Sequence, residues 1–187
     1  ELNIIDVFNP YNPSIVGSFE TNTLINDIYV VGDRAYLASS DENQLRVLDI
    51  YNKATPQLIE IFSPSGSQVQ EGKVIDYFEN QLSLGRTVGG FNITNNHEIF
   101  TFSSTSPLAQ LNSKDIPGGV YGILNRGSLL FLLTHLSGSE FQVFDSNLKN
   151  LIFSKSLLSI PVAMTCDWAS LYFATGDSSG LSILKIQ

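Results

Sequence analysis

Short apolar runs alternate along this chain with clusters of Gly, Pro, Asn and Asp. The clearest succession spans residues 26–62, where turn-forming residues separate four runs that are rich in β-branched and aromatic side chains. This pattern predicts four short strands joined by tight turns. Helix is not expected, because no stretch of about eleven residues or more carries a 3.6-residue apolar period. The run at residues 129–133 is apolar at every position, which indicates a strand covered on both faces.

One strand type recurs, with starts at residues 2, 45, 89, 141 and 181 and spacings of 43, 44, 52 and 40. The copy at residues 89–94 is the weakest, and we attribute the long spacing after it to a polar loop at 103–119. A period of this length is typical of a four-stranded propeller blade. We therefore predict an all-β fold of β-propeller-type repeats, with four-stranded antiparallel blades and about four repeats in this chain.

The repeats predict a single β-propeller repeat domain over residues 1–187, with about seventeen strands. Its parts are a half-unit at 1–20, units at about 24–63, 70–103 and 118–156, and a partial unit at 160–187. Because the third strand type occurs at both ends, we expect a longer parent chain or head-to-tail assembly rather than a self-contained four-blade monomer. The opening without Met likewise favours a piece of a longer or processed precursor.

The amino-terminal residues resemble a known repeat. Leu2-Asn3-Ile4-Ile5-Asp6-Val7-Phe8-Asn9-Pro10-Tyr11-Asn12-Pro13-Ser14-Ile15-Val16-Gly17-Ser18-Phe19 is similar to the LVIVD repeat, and residues 31–38 and 45–50 fit the same family. The match fades downstream, where Lys185 replaces the strand-ending Asp. The resemblance implies a β-propeller of the kind found in secreted and cell-surface proteins, mostly of unassigned function. It implies no catalytic residues.

Two sets of residues are assigned structural roles. Asp6, Asp49 and Asp145 each end a strand before a turn, where a carboxylate accepts hydrogen bonds from the turn backbone. Seven apolar and aromatic side chains of the repeated strands are expected to be buried between sheets. They are Tyr36, Leu48, Phe131, Leu133, Phe144, Tyr172 and Phe173.

Composition restricts the classes of partner. The formal net charge is −8 and the isoelectric point is near 4.5, which disfavours binding to nucleic-acid phosphates. Apolar runs are far shorter than the ~18 residues that a membrane helix needs, so membrane insertion is not expected. The chain is rich in Ser and Asn, and only 15% of its residues are charged. Together with the resemblance, this composition favours an extracellular or cell-surface location.

Candidate ligand and modification sites are few. Asp41, Glu42 and Asp177 occupy the same turn in two units and offer oxygen ligands for calcium, but a solvated turn is the favoured interpretation. Asn92 heads an Asn-Ile-Thr pattern that is typical of N-glycosylation acceptors. We predict no cofactor.

Candidate catalytic groups do not form a recognisable set. His97 and His135 have no Cys or carboxylate at metal-ligand spacing, and no nucleophile elbow is present. Trp168 and Tyr11 are candidates for exposed aromatic contacts to a sugar or a protein. We therefore favour a non-catalytic interaction or assembly module that binds a protein partner or self-associates through its terminal strands. The alternatives are a carbohydrate-binding propeller and an enzyme with its site in the central channel.

Overall fold

A computed structural model describes residues 1–63, 70–88, 98–104, 107–157, 159–167, 170–175 and 181–185. These residues form seventeen β-strands and no helix. No helix within them is long and apolar enough to cross a membrane. The predictions of an all-β fold and of about seventeen strands are confirmed for this part of the chain.

The strands form five antiparallel sheets, numbered in chain order. Sheet 1 contains β1 (Leu2–Asp6) and β2 (Ser14–Phe19). Sheet 2 contains β3 (Ile25–Val31), β4 (Arg34–Ser39), β5 (Leu45–Asp49) and β6 (Gln57–Phe62). Sheet 3 contains β7 (Gln70–Phe78), β8 (Gln81–Val88), β9 (Glu98–Ser103) and β10 (Ala109–Asp115). Sheet 4 contains β11 (Val120–Arg126), β12 (Leu129–Thr134), β13 (Phe141–Asp145) and β14 (Leu151–Lys155). Sheet 5 contains β15 (Pro161–Cys166), β16 (Ser170–Thr175) and β17 (Leu181–Lys185).

Each sheet is a meander in which consecutive strands are hydrogen-bonded neighbours. The first strands of sheets 2 to 5 lie side by side, β3 against β7, β7 against β11 and β11 against β15. The sheets therefore radiate from a common line of inner strands, and each packs face to face on the next.

The core lies between successive sheets. Leu2 and Phe19 of sheet 1 pack against Leu37 and Leu48 of sheet 2, and the other sheet pairs enclose similar clusters. Alternation along each strand places neighbouring side chains on opposite faces, so an inner sheet is covered on both. This geometry explains why the strands read as continuous apolar runs.

Six of the seven side chains predicted to be buried are buried. They are Tyr36, Leu48, Phe131, Leu133, Phe144 and Phe173. Tyr172 is an error of prediction, because it is only half-buried and its hydroxyl donates to Asp167 Oδ2 at 2.6 Å. The equivalent Tyr36 is covered by sheet 3, where its ring stacks on Tyr77, whereas no sheet of the described residues covers this face of sheet 5.

The assignment of strands in the third unit is corrected. Its third strand is β9, where Ile99 pairs with Gly85 as Leu45 pairs with Ala38 in sheet 2. The segment 103–119, interpreted as a loop, contains the fourth strand β10, so this unit reaches Asp115 and not residue 103. β10 escaped prediction because it is an outer strand of mostly exposed polar residues. The weak copy at 89–94 lies outside the described residues.

The strand-ending aspartates do accept hydrogen bonds from turn backbone groups. The N–H of Phe8 donates to Asp6 at 2.8 Å and that of Tyr51 donates to Asp49 at 2.8 Å. The N–H of Lys149 donates to Asp145 at 2.7 Å. These carboxylates fix the turn between the third and fourth strands, as predicted.

Candidate functional sites

The three candidate calcium ligands, Asp41, Glu42 and Asp177, differ in what the structure shows of them. The carboxylate of Asp41 receives a bidentate pair from the Arg46 guanidinium, with N–O distances of 2.9 and 2.6 Å. This ion pair satisfies Asp41 with a cation from its own hairpin, and Glu42 is exposed beside it. Asp177, like Asn92, Trp168 and His97, lies outside the described residues. Within the described part of the chain, no group of three His, Cys, Asp or Glu side chains is placed to hold a metal ion.

A channel of about 470 Å³ runs along the inner strands of sheets 2 to 5. Its polar lining includes Asp27, Asp76, Lys73 and Tyr121. Both carboxylates are engaged with the backbone of the next sheet. Asp27 accepts the N–H of Ile75 at 2.8 Å, and Asp76 accepts a short hydrogen bond from the next inner strand. The acidic groups of the channel therefore link neighbouring sheets.

One pair of rings lies at the end of the channel where the inner strands begin. The rings of His135 and Tyr121 are stacked, with centroids 3.4 Å apart and an interplanar angle of 8°. Burial lowers the pKa of His135, and the charge of Lys73 acts in the same direction, whereas the Pro161 carbonyl partly opposes them. Burial also raises the pKa of Tyr121, with a smaller contribution from Glu71. The stack therefore packs two partly buried rings against each other, and each pKa shift disfavours the charged form of its ring.

A second concavity, the aromatic groove, lies between sheet 1 and the turn that connects β5 to β6. It has a volume of about 640 Å³. Its lining consists of residues 4–8, Val16 and residues 51–54. β2 approaches the turn closely because residue 17 is Gly, where a Cβ atom would overlap the Lys53 carbonyl oxygen. The repeat sequence thus places two equivalent turns side by side.

Two aromatic side chains of the groove are solvent-exposed. Phe8 is 96% exposed and Tyr51 is 79% exposed. Each stands two residues after its strand-ending aspartate, on a turn held by the Asp6 or Asp49 hydrogen bond. Sequence reasoning singled out Tyr11, which is 96% exposed but does not line the groove, and missed the other two. The sequence signal that could have identified Phe8 and Tyr51 is their common position, two residues after the strand-ending aspartate in the two most similar units.

The outer faces of the terminal sheets form a third candidate surface. Ile5 occupies the register position of Leu48 and Phe144, yet it is 52% exposed while they are 0% and 3% exposed. In sheet 5 the same comparison holds for Tyr172, which is half-buried, whereas Tyr36 at the equivalent position of sheet 2 is 1% exposed. In both terminal sheets, positions that neighbouring sheets cover elsewhere are more exposed to solvent.

Comparison with known proteins agrees with this architecture. The LVIVD repeat matches residues 1–21 and 25–63, which confirms the resemblance in the first two units. No curated protein sequence matches the chain.

Several solved structures are similar in fold. The computationally designed Ika4 protein is 13% identical with a TM-score of 0.65, over 90% of this chain and 94% of that one. BamB from Moraxella catarrhalis is also 13% identical with a TM-score of 0.65, over 89% of this chain and 46% of that one. The Cps50 (Swd1) β-propeller domain from Myceliophteria thermophila is 11% identical with a TM-score of 0.70, over 99% and 64%. The sheets are therefore propeller blades, and the chain spans less than two thirds of these two natural chains.

Proposed function

We propose that these LVIVD-type propeller blades form a non-catalytic, extracellular or cell-surface interaction module that self-associates head-to-tail. The observation that carries the proposal is the exposure of Ile5 and the partial exposure of Tyr172 at positions that are buried in the inner sheets. A second copy supplies the missing neighbour when the outer face of its sheet 1 packs on the outer face of sheet 5.

The edges of the terminal sheets offer a different head-to-tail contact, edge to edge instead of face to face. Within the described residues β17 pairs only with β16, so sheet 5 presents a third strand whose outer edge is open. β2 follows a third-type strand, as β6 and β14 do in the complete sheets. The amino-terminal segment of a second copy therefore has the strand type that this edge accepts by β-augmentation. Such a contact is heterologous and builds a ring or a fibre.

A non-catalytic role is favoured by the chemistry of the channel. Asp27 and Asp76 hold the inner strands together, so their removal would loosen the sheets. Within the described residues, Nε2 of His135 lies 3.4 Å from the Pro161 carbonyl oxygen. The extracellular location rests on the Ser- and Asn-rich composition and on the kind of protein in which the repeat is found.

Sedimentation velocity over a range of concentrations tests the assembly. Ser18 is exposed on the outer face of sheet 1, opposite the packed Phe19, and Ala174 lies on the outer face of sheet 5, opposite Phe173. We expect the unaltered chain to self-associate, and Ser18→Arg and Ala174→Arg each to shift it to monomer by placing a bulky charge in the contact.

The matched control is Ser113→Arg on the exposed strand β10, which should leave self-association unchanged. Deleting residues 1–20 should also abolish assembly, although it uncovers Leu37 and Leu48 and is the less clean variant. An unaltered chain that remains monomeric at every concentration would contradict the proposal.

A further inference from the structure

We propose that the aromatic groove is a binding site for a neutral carbohydrate, with Phe8 and Tyr51 as stacking platforms for pyranose rings. The groove lies at the turn ends of sheets 1 and 2, and its volume of about 640 Å³ falls in the range of small-molecule sites, roughly 300–1,000 Å³.

The rings of both Phe8 and Tyr51 are largely exposed to solvent. Phe8 and Tyr51 leave 96% and 79% of their surface to solvent while lining one concavity. Clustered exposed aromatic side chains mark binding surfaces. Their flat apolar faces match the apolar C–H faces of a pyranose ring, with which they stack.

The groove is preorganised. The hydrogen bonds from Phe8 N to Asp6 Oδ1 and from Tyr51 N to Asp49 Oδ1 fix the backbone beneath each ring. Asn52 Oδ1 accepts the N–H of Ala54 at 3.1 Å and holds the far wall. Because the backbone is already ordered, a ligand does not have to order it on binding.

Polar groups that line the groove determine the class of ligand. Among the described residues, the Lys53 ammonium, the Asn52 amide nitrogen and the second carboxylate oxygen of Asp6 have no hydrogen-bond partner. Together they provide donors and an acceptor, which vicinal hydroxyl groups satisfy because each hydroxyl both donates and accepts. One ammonium and one carboxylate give the groove no net charge, so a neutral sugar fits better than an acidic one.

The groove differs from the surface proposed for self-association. Phe8 and Tyr51 stand on turns, whereas the assembly surface consists of the sheet faces that carry Ser18 and Ala174. Ile5 and Val16 border both surfaces, so they are unsuitable for separating them. The two proposals can therefore fail independently.

The test is affinity electrophoresis and calorimetry with the full chain and neutral oligosaccharides. The panel contains cello-, malto-, manno-, galacto- and chito-oligosaccharides and the corresponding soluble polysaccharides. We expect the chain to bind at least one of these series. Phe8→Ala and Tyr51→Ala should each weaken binding by about tenfold or more, which corresponds to about 1.4 kcal/mol.

Tyr11→Ala is the matched control, because Tyr11 is 96% exposed on a neighbouring turn but does not line the groove. It should leave affinity within about twofold, and circular dichroism should be unchanged for all three variants, since exposed positions contribute little to folding.

Three results would overturn the inference. The first is no binding to any member of the panel. The second is sugar binding that survives both Phe8→Ala and Tyr51→Ala, which would place the sugar elsewhere. The third is that Phe8→Ala and Tyr51→Ala lose self-association while the unaltered chain binds no sugar. That result would assign the groove to a contact between copies. Sedimentation of Ser18→Arg reports on assembly separately.

Discussion

Two interfaces of the same geometry are built from different chemistry. Between sheets 2 and 3 the contact is aromatic, with the rings of Phe62 and Phe102 edge to face at 4.7 Å and those of Tyr36 and Tyr77 stacked at 6.2 Å. Phe100 joins the same cluster. Edge-to-face and stacked pairs add about 0.5–1.5 kcal/mol each to the effect of burial.

Between sheets 3 and 4 the contact is mainly aliphatic, with Phe144 as its buried aromatic side chain, and it contains buried polar groups. Asp76, Ser83 and Asn125 are 6%, 0% and 1% exposed. Strand alternation directs Ser83 towards sheet 4, because Leu82 and Leu84 face sheet 2. The hydroxyl of Ser83 and the amide of Asn125 make no hydrogen bond within the described residues.

The comparison shows that the repeat fixes the spacing of the sheets but not the way in which they are held together. In the aromatic interface the free energy of unfolding depends on filled volume. In the interface of sheets 3 and 4 it also depends on a hydrogen bond and on the protonation of a buried carboxyl. Single substitutions should separate the two kinds of interface.

The largest effect is expected for Phe102→Ala. Phe102 is 0% exposed and contacts Phe62 and Phe100, so truncation leaves a cavity and removes ring contacts. We expect a loss of about 3–5 kcal/mol in the free energy of unfolding, measured by urea denaturation. Phe8→Ala, at a fully exposed aromatic position, is the control and should change it by about 0.5 kcal/mol or less. A loss below about 1 kcal/mol at Phe102 would show that the sheets do not pack in this way.

A smaller loss is expected for Asp76→Ala in the other interface. Asp76 accepts the N–H of Asn125 at 2.5 Å and contacts the Arg126 guanidinium at 3.3 Å. Without the carboxylate, the buried N–H of Asn125 loses its acceptor. We expect a loss of about 1–3 kcal/mol at neutral pH, and Asp76→Asn, which keeps an acceptor oxygen, should lose less.

The pH dependence of this difference identifies its origin. Burial raises the pKa of Asp76 above its ordinary value of 3.8, and the hydrogen bonds and the charge of Arg126 do not cancel the effect. The folded chain therefore binds this proton more tightly than the unfolded chain does, so protonation of Asp76 stabilises the fold. This contribution to the free energy of unfolding is complete below the unfolded pKa of 3.8 and is lost as pH rises through the folded pKa, and these two values bound the relevant pH window. The advantage of the unaltered chain over Asp76→Ala should grow as the solution is acidified in that window. A difference that shrinks on acidification would contradict a raised pKa.

The sequence predicts the fold well where the motif is strong. The division of the strands into sheets of two, four, four, four and three follows from the turn residues and apolar runs. It could be predicted because local propensity and packing favour the same strands. β10 was not predicted because an outer strand with an exposed face lacks the apolar run that marks the inner strands. That Phe8 and Tyr51 line one groove could not be predicted either, since it depends on how two turns that are distant in sequence meet.

The smallest effect, and one of opposite sign, is expected for Ser83→Ala. The hydroxyl of Ser83 is wholly buried and has no hydrogen-bond partner within the described residues, so its desolvation is uncompensated. Alanine removes the oxygen alone and leaves almost no cavity. We expect the free energy of unfolding to stay constant or to rise by up to about 1 kcal/mol, measured by urea denaturation beside Ser113→Ala at an exposed position. A loss of more than about 1 kcal/mol would mean that the hydroxyl has a partner across the interface, and the two interfaces would then differ less than their contacts indicate.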